Sequence, residues 1–234
     1  MIHVDIINAS TVLTDAAIEA VIPALHKQVT NHFYPIWGIN AKLHFVQTGH
    51  TPKSGHWWIA ILDNSDVADA LGYHDLTADG LPLGKVFAGT DMQYGLSWTI
   101  TLSHELLEML VDPYINLTAQ IDRHRLYAYE VCDACEEDSL GYQIDGVQVS
   151  DFVTPQWFEN MPHPAQTRFD YRRHITMPLE LLPGGYISVL EFARGTWVQL
   201  TAQQVNAAKA DFQPGSRRAR RQHDCATWRC SCLA

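Results

Sequence analysis

The segment SWTITLSHELLEMLVDP, residues 97–113, carries the most regular helical pattern in the chain. We expect a helix over residues 97–111, because the Asp112-Pro113 pair that follows disfavours its continuation. At about 100° per residue, the polar residues of this helix share one sector of about 100°. They are Thr101, His104, Glu105, Glu108 and Asp112. Apolar residues occupy nearly all the remaining surface, which predicts a helix buried on most sides.

The polar sector contains acids but no lysine or arginine. One interpretation is the solvated face of an ordinary amphipathic helix. Such a face normally mixes acids with bases, however, and Glu108 and Asp112 lie near the helix C-terminus, where the helix dipole disfavours anions. A bound cation would remove both penalties. His104 and Glu108, one helical turn apart, can reach one metal ion, and Glu105 can hold a water molecule beside it.

The stretch from Thr101 to Glu108 resembles the active-site helix of the zincin metalloproteases, whose motif is His-Glu-x-x-His. The resemblance covers roughly residues 2–137, where the predicted order of strand, long helix, strands, short edge strand and metal-binding helix is similar to the zincin core. It implies a zinc-dependent metallopeptidase in which Glu105 is the general base. Residues 104–113 and 130–136 also resemble an uncharacterised bacterial zincin-like family.

In the gluzincin branch of the zincins, a second helix supplies a glutamate ligand and then an aspartate that orients a ligating histidine. The segment from Tyr129 to Asp133 stands at the matching distance from His104. The resemblance therefore implies that Glu130 is the third metal ligand and that Asp133 is the aspartate that orients a ligating histidine. Asp112 and Glu136 are further candidates for ligation or support, and Asp112 is alternatively only the residue that ends the helix.

The same resemblance implies a substrate-binding strand and leaves the oxyanion donor open. The predicted edge strand, Val86, Phe87, Ala88 and Gly89, would bind an extended peptide as an additional strand. Tyr171, His163 and His174 lie in a proline-rich loop that could cover the cleft, so each is a candidate oxyanion donor or a surface residue of that loop.

One departure from the zincin motif concerns the metal. Glu108 stands where the family has its second histidine. One imidazole and two carboxylates still form a Zn²⁺ site, but these harder ligands make Mn²⁺ or Ca²⁺ stronger competitors. The departure also supports an alternative, a catalytically inactive zincin-like binding or structural module in which the metal only stabilises the fold. Retention of Glu105, which a structural site does not need, supports the enzyme.

Outward from the helix, the patterns predict an α+β fold. A zincin-like core, with a mixed sheet, a long helix and the metal-binding helix, is expected over residues 1–137, a β-rich subdomain over 138–202 and a basic tail over 203–234. The expected elements are a strand at 2–8, a helix at 15–34, neighbouring strands at 41–47 and 56–62, an edge strand at 85–88, a hairpin at 142–149, a loop at 154–178 and strands at 186–192 and 196–200.

Composition restricts the class of protein. The 234 residues are 47% hydrophobic with a net charge of -10, which supports a globular protein and argues against a nucleic-acid binder. The acids are concentrated, since residues 104–138 hold nine acids and two bases. No apolar run is long enough to span a membrane and no signal peptide is apparent, so we expect a cytoplasmic protein without a membrane partner, acting on a peptide or protein. The sequence leaves its oligomeric state open.

The cysteines offer weaker signals. Cys132 and Cys135 have the spacing of a redox or zinc motif without a second pair nearby, which favours small buried residues. The acidic run Glu136 to Asp138 is either a solvated turn or a calcium site. The tail carries His223, Cys225, Cys230 and Cys232, whose spacing fits no metal-binding motif. We expect the remaining histidines, among them His3, His44, His56 and His74, to be structural.

Overall fold

The computed structural model describes residues 1–66 and 70–205 and confirms an α+β fold. The strands are β1 Ile2–Asn8, β2 Ala41–Val46, β3 Trp57–Leu62, β4 Gly72–Leu76, β5 Pro82–Phe87, β6 Thr118–Ala119, β7 Arg125–Ala128, β8 Tyr142–Ile144, β9 Val147–Val149, β10 Tyr186–Glu191 and β11 Thr196–Thr201. The α-helices are α1 Asp15–Glu19, α2 Ile22–Lys27, α3 Tyr34–Trp37, α4 Ala88–Gln93, α5 Trp98–Val111 and α6 Ala202–Val205.

The first sheet has the order β2-β1-β3-β5-β4, in which only β4 is antiparallel to its neighbour. The prediction that β2 and β3 are neighbours is wrong, because β1 lies between them. Both strands run parallel to β1, and parallel neighbours cannot be joined by a tight hairpin. The short segment between β2 and β3 therefore crosses β1.

The predicted edge strand is also misplaced. β5 lies inside the sheet, between β3 and β4, and Val86 and Phe87 are fully buried. Ala88 and Gly89 belong to α4 and not to a strand. Gly84, in the middle of β5, allows close packing against β3, since a Cβ there would lie 3.0 Å from Ile59 Cγ1. The edge position belongs to β4, a strand that the sequence patterns did not indicate.

The long helix expected over residues 15–34 is interrupted. α1 ends at Glu19, α2 begins at Ile22, and a π-helical segment, Gln28–Phe33, connects α2 to α3. Pro23, in the first turn of α2, lacks the N–H that a continuous helix would need, so a new helix begins there.

The second half contains an antiparallel sheet of order β11-β10-β7-β6 and the predicted hairpin β8–β9. The hairpin turn is Asp145-Gly146, both with positive φ, as a tight turn of this kind requires. β7 and β10 pair although they lie on opposite sides of the predicted boundary at residue 137, and the three-part division stays a prediction. Among the described residues, no helix is long and apolar enough to cross a membrane.

Candidate metal centre

Helix α5 is buried on all sides from Thr99 to Val111. His104 and Glu108 are each 1% exposed and Glu105 is 2% exposed, so the polar sector is not a solvated face. Burying ionised carboxylates is unfavourable unless a cation or a proton compensates the charge. The helix therefore needs partners for its acids inside the protein.

Strand β4 covers part of this polar sector. Gly72 makes the contact possible, because a Cβ at this position would lie 2.7 Å from Thr101 Cγ2 and 2.9 Å from Glu105 Cγ. Neither distance is sterically tolerable, so a larger residue would push the strand away from the helix. The edge strand of the sheet thus lies directly against Glu105.

Helix α5 and the segment after β7 bring together one imidazole and two carboxylates. His104 Nε2 lies 3.2 Å from Glu108 Oε2 and 3.3 Å from Asp133 Oδ1. The other oxygen of Glu108, Oε1, accepts a hydrogen bond of 3.1 Å from the backbone N–H of Cys132. This bond fixes the segment that carries Asp133 relative to the helix.

A second histidine joins the centre from β4. His74 Nδ1 lies 3.7 Å from Glu105 Oε2 and 3.9 Å from Glu108 Oε2, and its Nε2 lies 3.9 Å from Glu130 Oε2. Sequence reasoning missed this residue because it missed the strand. The sequence feature that could have indicated β4 is Asp79-Gly80, a pair favoured in hairpin turns. This pair lies in the turn that connects β4 to β5, and Gly80 has φ 76°.

The carboxylates and histidines of this centre shift one another's pKa values. Burial lowers the pKa of His74, but the neighbouring carboxylates Glu130, Glu105 and Glu108 outweigh burial and raise it to about 9. Burial, reinforced by Asp133, raises the pKa of Glu108 to about 8. His74 Nε2 is buried and has no hydrogen-bond partner among the described residues. Both raised pKa values follow from the crowding of carboxylates in a buried cluster, where a proton or a cation compensates their charge.

Two overlapping groups have the composition of a metal site. The first is His104, Glu108 and Asp133, and the second is His74, Glu105 and Glu108; in each, the ligand atoms lie within 4.8 Å of one another. All these residues are buried, and imidazole with carboxylate oxygens suits Zn²⁺ or Mn²⁺. The residues present therefore fit a divalent ion.

The positions of Glu130 and Asp133 differ from those the zincin resemblance implies. Asp133, expected to support a ligand, groups with His104 and Glu108, while Glu130, expected to be the third ligand, faces His74. Asp133 opens a short 3₁₀-helix, Asp133–Cys135, at the place where the zincin resemblance implies a second helix, and Glu130 lies before this turn. Glu136 follows that turn and is 6% exposed.

Asp112 acts as the residue that ends α5. Its carboxylate accepts hydrogen bonds of 3.0 Å from the backbone N–H groups of Asn116 and Leu117. Burial raises its pKa, although these two bonds oppose the shift. Both oxygens are thereby used to fasten the segment after the helix.

The candidate oxyanion donors make contacts within the second half of the chain and with the π-helical segment. Tyr171 stacks on His32 and Phe152, and His163 Nε2 donates a hydrogen bond of 3.0 Å to the backbone oxygen of Glu159. His174 Nδ1 lies 4.0 Å from Asp151 Oδ2. These contacts are thus with the loop of residues 154–178, with Asp151 and Phe152 just before it, and with His32.

Cys132 and Cys135 are buried free thiols. Burial raises the pKa of both thiols, so neither is a reactive thiolate at neutral pH. The expectation that Cys132 and Cys135 are small buried residues is thus confirmed, and both lie in the segment that carries Asp133. The residues of the tail, His223, Cys225, Cys230 and Cys232, lie outside the described residues.

Comparisons of this chain with known protein families, with curated proteins and with solved structures find no significant match.

Proposed function

We propose that the protein is a metal-dependent hydrolase of the zincin type that cleaves peptide bonds. The observation that carries the proposal is the proximity of His104, Glu108 and Asp133 in one buried group, with Glu105 next to His104 on the same helix. A mixed sheet with an antiparallel edge strand beside this helix is consistent with the zincin arrangement.

His104, Glu108 and Asp133 would hold the ion, with Glu130 close enough to act on Glu108 electrostatically. A bound Zn²⁺ or Mn²⁺ would supply Lewis acidity, polarising the scissile carbonyl and the attacking water. Glu105 would take the proton of that water and return it to the leaving amine. His74, within ion-pair distance of Glu105, would hold its carboxylate in position.

The peptide-binding role first expected of residues 86–89 passes to β4. This strand is the last of the sheet, and it lies against Glu105 through Gly72. An extended peptide could pair with its outer edge, and backbone hydrogen bonds would then place the scissile bond near the general base.

Burial favours a second candidate, a catalytically inactive module in which the ion only neutralises the acidic cluster. His74 is 8% exposed and Glu130 4% exposed, so the centre has little contact with solvent. A catalytic site keeps one coordination position open to substrate, whereas a structural site is closed. As an enzyme, the protein must therefore move β4 or an adjacent segment to admit a substrate.

The test combines metal analysis with cleavage of a peptide library. We expect about one ion per chain at this centre, and cleavage that disappears in Glu105→Gln but persists in Glu19→Gln, a matched change at an exposed helical position. Metal binding that His104→Asn removes, without Glu105-dependent cleavage, would leave only the inactive module. Absence of metal from the purified protein, and failure to bind added Zn²⁺ or Mn²⁺, would reject both candidates.

A further inference from the structure

A second group of histidines lies on the first sheet, far from α5 in the chain. His3 is on β1, His44 is on β2, and His56 immediately precedes β3. Because β2 and β3 flank β1, these positions are neighbours across the sheet. His3 and Asp5 alternate along β1 with the fully buried Val4, so they lie on the opposite face of the sheet from Val4.

The three imidazoles are close enough to share one ligand. His3 Nδ1 lies 2.9 Å from His44 Nε2, and the ring of His56 is centred 4.8 Å from that of His3 and 5.1 Å from that of His44. One nitrogen from each ring can be chosen so that all three lie within 4.8 Å of one another. The ring of His3 is stacked on those of His44 and His56, so the rings would rotate toward a common point to bind a tetrahedral Zn²⁺.

A carboxylate orients one of these rings from behind. His56 Nδ1 lies 2.7 Å from Asp5 Oδ1, and Asp5 Oδ2 accepts a hydrogen bond of 2.7 Å from the backbone N–H of Lys53. Asp5 is 2% exposed and is thus fixed in place. A carboxylate bonded to one ring nitrogen is the usual support of a metal-binding histidine, and it leaves Nε2 of His56 for the ion.

All three histidines are partly exposed, so an ion can reach them from solvent. From this arrangement we propose that His3, His44 and His56 form a second metal site, with Asp5 as a positioning residue. The ion that suits three imidazoles best is Zn²⁺ or another divalent ion of intermediate softness. Three neutral imidazoles leave a fourth coordination position for water. The site shares no residue with the centre on α5, and the proposal does not rest on the proposed function.

The test uses the full chain, freed of metal and titrated with Zn²⁺ by calorimetry and with Co²⁺ by visible absorption. We expect His44→Asn to bind one equivalent less than the wild type, and to lose the tetrahedral Co²⁺ bands of this site. His26→Asn, a matched change at an exposed histidine of α2, should bind as the wild type does. His3→Asn provides a second variant at a partly exposed position, and circular dichroism checks the folding of each.

A further variant examines the positioning residue. Asp5→Asn should weaken Zn²⁺ binding at this site by about 10- to 100-fold, with the number of sites unchanged. The melting temperature of the metal-free variant separates this effect from a general loss of stability. Equal stoichiometry and affinity in the wild type and in folded His44→Asn and His3→Asn would overturn the proposal. Because the difference between variants is measured, a centre on α5 that binds nothing would not affect this result.

Discussion

His74 Nδ1 lies 3.7 Å from Glu105 Oε2, and this ion pair joins the edge strand β4 to the helix α5. The two residues are 31 positions apart and belong to different layers of the fold. The pair therefore links Glu105, the proposed general base, to β4, the strand that we propose binds the substrate. Movement of β4 would therefore change both access to Glu105 and the setting of its carboxylate.

The first prediction concerns His74. Replacing it with asparagine removes the imidazole that lies against Glu105 and Glu108 and positions their carboxylates, so we expect both the metal affinity and the cleavage rate to fall by about 10- to 100-fold. Calorimetric titration with Zn²⁺ and the peptide-cleavage assay measure the two quantities. His50→Asn, at an exposed position, is the control and should change neither. A folded His74→Asn protein with unchanged metal affinity and rate would contradict a role for His74.

The second prediction concerns Gly72. Gly72→Ala would place a methyl group 2.7 Å from Thr101 Cγ2, so we expect a loss of about 1–3 kcal/mol in the free energy of unfolding. Urea denaturation measures the loss. Gly95→Ala is a useful comparison, because Gly95 has φ 71° but an added methyl group there would meet nothing within 4 Å. It should lower stability through the backbone alone and leave metal affinity intact, whereas Gly72→Ala should weaken metal binding too.

The third prediction concerns the pH dependence of stability. Burial, together with the neighbouring Asp170, raises the pKa of Asp151 to about 9. An acid with a raised pKa in the folded state binds its proton more tightly there than in the unfolded chain. Its contribution to stability is thus complete below the unfolded pKa, near 3.8, and declines as the pH rises toward 9.

Asp151→Asn should remove this decline, which amounts to at most about 1.4 kcal/mol per pH unit. The asparagine oxygen can still accept the bonds that Asp151 Oδ1 receives from Phe152 and Arg172. Unfolding free energies measured from pH 5 to pH 8 test the change, with the exposed Asp79→Asn as the matched control. The same slope in the wild type and in Asp151→Asn would contradict the prediction, because it would show that the carboxyl of folded Asp151 is already ionised at pH 5.

The fourth prediction concerns the buried thiols. Because burial raises the pKa of Cys132 and Cys135, we expect both to resist thiol-specific reagents at pH 8 in the folded protein and to react rapidly in denaturant. In a variant with serine at Cys225, Cys230 and Cys232, thiol labelling reports on Cys132 and Cys135 alone. Rapid labelling of this variant in the native state would indicate that the segment carrying Asp133 opens readily.

Much of the centre was predictable from local patterns. The helix of residues 98–111 and the shared face of His104, Glu105 and Glu108 follow from helical periodicity. The hairpin at Asp145-Gly146 follows from the turn preference of that pair. In both cases the signal and the structure lie within a few residues of each other, so no distant contact is needed to decide them.

Strand order was not predictable in the same way. The periodicity of β5 indicates a strand but contains no information on whether β4 covers its outer edge. β4 is short and begins with a glycine, so its local propensity is low, and its position depends on packing against α5. Missing this strand meant missing His74.

The sequence by itself determined that an acidic helix with one histidine would be buried and would need compensation for its charge. Only the tertiary structure decided which distant residues compensate this charge. Asp133 contacts His104, and His74 contacts both Glu105 and Glu130. It also decided that three histidines from separate segments meet at His3. The reason is physical: helical and strand periodicity fix the face on which a side chain lies, whereas contacts between faces depend on how distant elements pack.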